Sequence, residues 1–73
     1  MVTNYDRAGW AERGVIAFQM ETGTDDEDAV ADLLADLMHY CDRFGLDFKK
    51  ELARGTGNYN DEVREDGGKC KRD

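Results

Sequence analysis

TDDEDAVADLLADLMHYCDRFG, residues 24–45, reads as one amphipathic helix, and the rest of the chain is organised around it. Val30, Leu33, Leu34, Leu37, Met38, Cys41 and Phe44 recur at intervals of three and four, so at 100° per residue they share one side of a helix. Asp25, Asp28, Asp32 and Asp36 fall on the opposite side. Thr24 and Glu27 have the spacing of a capping box at the start of the helix. Gly45 supplies the left-handed residue that ends it.

Working outward, Asn4 is a plausible N-cap for a first helix over residues 5–21, with Ala8, Ala11, Val15 and Phe18 as its inner stripe. Val15–Gln19 is also compatible with a short strand. Helix is preferred because the chain offers no second strand to pair with it. Gly23 ends this helix. Beyond Gly45, Asp47 caps a short third helix from Phe48 to about Arg54, after which Gly55 and Gly57 interrupt the pattern. A further turn or two within residues 58–66 is left open. Residues 67–73 read as a disordered tail. The expected fold is all-α: one three-helix domain over residues 1–66, a helical hairpin with a short third helix. The expected core is Val15, Phe18, Val30, Leu33, Leu34, Leu37, Cys41, Phe44, Phe48 and Leu52.

That core is thin. With 73 residues the chain is one domain at most, and so short a chain buries only about 60% of its unfolded surface. The apolar arc of the central helix is wider than one short helix covers, which makes a homodimer through this helix an expectation.

The net charge of −7 belongs to one segment. Residues 21–47 carry nine acids and one base, a net of −8, while the remainder is near neutral. This argues against direct nucleic-acid binding, which needs a basic footprint. It suits a basic protein partner. Asp28, Asp32 and Asp36, with Asp25 in line one turn earlier, repeat at about 6 Å along the helix axis. A rigid row of carboxylates at that pitch resembles the phosphates of one nucleic-acid strand and would be met by lysines and arginines. The same row also reads as a solvated face that keeps the chain soluble.

The stretch Ala31-Asp32-Leu33-Leu34, with Leu37-Met38 and Asp42-Arg43-Phe44-Gly45-Leu46-Asp47-Phe48, resembles the last core helix and following turn of the MazG-type all-α nucleotide pyrophosphatases. The resemblance spans residues 31–48. In that family the helix gives a Glu-x-x-Asp pair to magnesium, and a partner helix brings a Glu-x-x-Glu pair. Asp32 matches the aspartate, but Ala29 stands where the first carboxylate belongs. Residues 5–21 offer only Glu12 and Glu21, nine apart. The resemblance therefore implies either a degenerate relative or a Mg²⁺ enzyme that uses Asp28, Asp32 and Asp36 as metal ligands. The same stretch is similar to short uncharacterised proteins carried by bacterial and phage genomes.

His39 lies on the polar side near Asp36 and Arg43; without a nucleophile and an orienting partner it does not read as a general base, and it is either an ordinary surface residue or, grouped with the aspartates, a partner-binding one. Cys41 reads as a small core residue and Cys70 as an exposed thiol in a polar tail. No zinc spacing, signal peptide or membrane-length apolar run is present, so a cytoplasmic setting without a cofactor is expected. The leading expectation is a non-enzymatic acidic inhibitor or adaptor of the kind mobile elements encode, docking on a basic protein that handles nucleic acid. A magnesium-dependent pyrophosphatase and a small dimeric structural protein are the alternatives.

Overall fold

The computed structural model describes residues 1–70 of the chain. It is all-α: α1 (Asn4–Thr22), α2 (Asp26–Phe44) and α3 (Phe48–Glu65). Among the described residues there is no strand, so Val15–Gln19 is helical. α1 and α2 form a helical hairpin.

Each turn is built by local chemistry. Gly23 (φ 72°) ends α1 in the left-handed region, its N–H donating to the Gln19 carbonyl at 2.7 Å. The Gln19 amide then reaches over the turn and donates to the Thr24 carbonyl at 3.2 Å and to Asp26 Oδ1 at 2.7 Å. Gly45 (φ 71°) ends α2 in the same way, and Leu46 N–H closes back on the Cys41 carbonyl at 2.8 Å. Asp47 caps α3 by accepting from Lys50 N–H at 3.3 Å.

Three sequence expectations need correction. The cap of α1 is Thr3, one residue earlier than Asn4; it forms a reciprocal capping box with Asp6. The cap of α2 is Asp25, which makes no side-chain cap hydrogen bond, and the Thr24 hydroxyl is paired with that of Thr22 at 2.8 Å instead of capping the helix. The third helix is not short: α3 runs through Gly55 and Gly57 to Glu65. Two helical glycines cost about 1 kcal/mol each, but Leu52, Tyr59 and Val63 hold one face across them, and the far end of α3 is fastened to α1.

That fastening closes the fold. Asn4 is buried, and its backbone N–H donates to Asp66 Oδ2 at 2.9 Å. Its side-chain amide donates to the carbonyls of Glu62 and Gly68, both at 3.1 Å, while its Oδ1 accepts from Arg7 at 2.9 Å. Arg7 Nε also lies 3.2 Å from the Glu62 carboxylate. Gly68 thus belongs to this junction within the segment read as a tail; residues 71–73 lie outside the described residues.

α3 starts beside the end of α2 and finishes at the start of α1, and its 18 residues span about 27 Å. The hairpin of α1 and α2 therefore opens away from its turn. The expected core does not close inside this frame. Among the described residues only Ala29 (1% exposed) and Cys41 (5%) are buried apolar residues, and Ala29 was not among those expected. Val15, Phe18, Leu33 and Phe48 are half-buried. Val30, Leu34, Leu37, Phe44 and Leu52 are exposed to 41% or more.

Candidate protein-binding surfaces

α2 presents two faces of opposite character. The first is acidic. Asp28, Asp32 and Asp36 project from α2 at one-turn intervals, with Asp25 at its N-cap, and all four are exposed. The ion pairs among the described residues are Arg7–Glu62, Arg54–Glu51 and Arg64–Asp61, so none neutralises this row. Asp25 and Asp28 sit in the positive field of the helix start. Asp32 and Asp36 lie too far along for that, and like charges at i, i+4 oppose the helix by roughly 0.2–0.5 kcal/mol per pair.

His39 and Arg43 continue the same side of α2 and are exposed. The Arg43 guanidinium lies over the Phe44 ring, 5.3 Å from its centroid. The row therefore ends on a base that is held on its own aromatic neighbour. His39 stands in line with the aspartates as the spacing implies.

The acidic row is not gathered into a chelate. Among the described residues, no three His, Cys, Asp or Glu side chains converge as a metal site. Asp28, Asp32 and Asp36 follow one another along a single helix, and Ala29, which replaces the carboxylate of the magnesium pattern, is buried at the packed side of α2.

The second face is apolar, and the sequence signalled it on α2 but not the part that α3 contributes. It is a groove of about 520 Å³ between α2 and α3, with Leu34, Leu37 and Tyr40 on one wall, Phe48, Leu52 and Tyr59 on the other. Cys41 and Leu46 also line it. Tyr40 and Phe44 stack at a tilt of 43° with centroids 4.6 Å apart, so the rim beside the groove is aromatic. The signal for this face was the width of the apolar arc on α2, which one neighbouring helix does not cover. The residues of the Asn4 junction, by contrast, gave no sequence signal as a group: Asn4 and Asp66 are 62 positions apart.

Among the described residues no helix is long and apolar enough to cross a membrane. Compared with known proteins, the chain matches no protein family, no curated protein and no solved structure.

Proposed function

We propose that the chain is a non-enzymatic binding protein whose acidic face, Asp25, Asp28, Asp32 and Asp36 with His39 at its edge, docks on a basic surface of another protein. The observation that carries this reading is the row of exposed carboxylates on one rigid helix, with no cation opposite them among the described residues. Unpaired charge that costs helix stability is accounted for if its counter-charge comes from a partner. The pitch of about 6 Å per turn suits the lysines and arginines of a groove that otherwise holds nucleic-acid phosphates. The partner class is then a nucleic-acid-handling protein, and the mode is inhibition or occlusion, as mobile elements use. A reducing cytoplasm fits the buried thiol of Cys41.

The test is competition. A partner isolated on the immobilised chain at low salt should be displaced by double-stranded or single-stranded nucleic acid, because both ligands need the same cations. A partner that holds the chain and nucleic acid together, without mutual weakening, would contradict the reading.

A further inference from the structure

The apolar groove between α2 and α3 opens on a molecule that, taken over the whole chain, exposes more surface than its mass requires. A compact monomer of this mass, 8.3 kDa, exposes about 4,600 Å², whereas this chain exposes 6363 Å². The surplus is about 1,800 Å² per chain, more than twice the roughly 800 Å² that each partner gives to a standard interface. Two such surfaces fall in the range of obligate homodimers, which bury about 2,000–5,000 Å² in total. The radius of gyration agrees: 13.8 Å, against about 11 Å for a compact domain of 73 residues.

We infer that a second copy of the chain covers this groove, packed across it about a twofold axis so that each chain fills the other. A surplus of this size stays unfavourable whenever its cover is absent, so the cover must be permanent and equimolar with the chain, which a second copy always is. Small folds gain stability from disulfides, metals or self-association. The face also carries both parts of a self-complementary contact. Val30, Met38 and Phe44 protrude from α2 beside the groove, exposed to between 50% and 62%, and the groove between α2 and α3 is the recess that receives such side chains. Electrostatics permits it. The aspartates lie on the far side of α2 from Leu34 and Leu37, so pairing through the groove keeps the two acidic rows apart and outward. The inference stands independently of the acidic-face reading, since it uses none of those residues.

Sedimentation equilibrium of the full chain at micromolar concentration tests it, together with thermal unfolding over a range of concentrations. The expected result is about twice the chain mass and a midpoint that rises with concentration. Leu52→Ala should keep the helical circular-dichroism signal at high concentration and weaken self-association roughly tenfold or more. Leu34→Glu, on the opposite wall, should abolish it, while Glu12→Gln on α1 should leave it unchanged. A fully helical monomer of single-chain mass, with a midpoint independent of concentration, overturns the inference. So does a dimer that forms equally well with Leu52→Ala and Leu34→Glu, because the contact then lies elsewhere.

Discussion

The backbone N–H of Asn4 donates to the carboxylate of Asp66 at 2.9 Å, joining the first helix to the end of the third across 62 positions of sequence. With the two hydrogens of the Asn4 amide on the Glu62 and Gly68 carbonyls, this junction does for the fold what a core does in a larger domain. It holds three helices in one frame while few apolar side chains are buried.

Replacing Asn4 should therefore cost far more than an N-terminal polar residue usually does. Asn4→Ala removes the amide that bridges the part-buried carbonyls of Glu62 and Gly68 and accepts from Arg7, at about 1–3 kcal/mol. Urea titration followed by circular dichroism measures it. A change of a few tenths of a kcal/mol would mean that the junction does not hold the helices together.

Leu37 is 41% exposed in the single chain and lies on the wall of the groove. If that wall is covered, Leu37→Ala should cost about 2–5 kcal/mol, as for a core leucine. Denaturation of the associated protein is the measurement, and a loss well below about 1 kcal/mol would mean that Leu37 stays in water.

Gly57 sits within α3, away from the groove, and a Cβ built there meets no atom within 4 Å. Gly57→Ala should stabilise the protein by about 1 kcal/mol through helix propensity alone. A rise in the thermal midpoint checks this, and a fall would place a partner surface on that side of α3.

The Asp6 carboxyl is held below its ordinary value of 3.8, first by the Thr3 backbone N–H and then by the Thr3 hydroxyl. Its folded value lies below its unfolded value, so the stability it adds is fully present above the unfolded value and is lost as the pH falls through the folded one. The difference in urea midpoint between the unaltered chain and Asp6→Asn should be largest near neutrality. It should shrink below about pH 4. A difference that persists unchanged in acid would show that the capping box acts without its charge.

How much of this the sequence carries depends on the range of the interactions. Gly23, Gly45 and Asp47 are local punctuation, and the two turns follow from them. The acidic face follows from periodicity alone. The length of α3 was hidden because Gly55 and Gly57 outweigh their neighbours locally, although the apolar spacing of Leu52, Tyr59 and Val63 continues through them. The Asn4 junction was hidden because its members are brought together only by the closed frame. The expected core consisted of correct helix faces; Leu34, Leu37 and Leu52 do share a groove, but one open to solvent within a single chain.

The central claim is that the carboxylates of α2 are the contact with a basic partner. Partner affinity should be measured for the unaltered chain and for the triple variant Asp28→Asn, Asp32→Asn, Asp36→Asn, at low and at high salt. The account predicts that the triple variant keeps its helix content, loses affinity by several kcal/mol at low salt, and shows little remaining salt dependence, since exposed charges are screened within about 8–10 Å. A partner that binds the triple variant as tightly as the unaltered chain, at both salt concentrations, would contradict it.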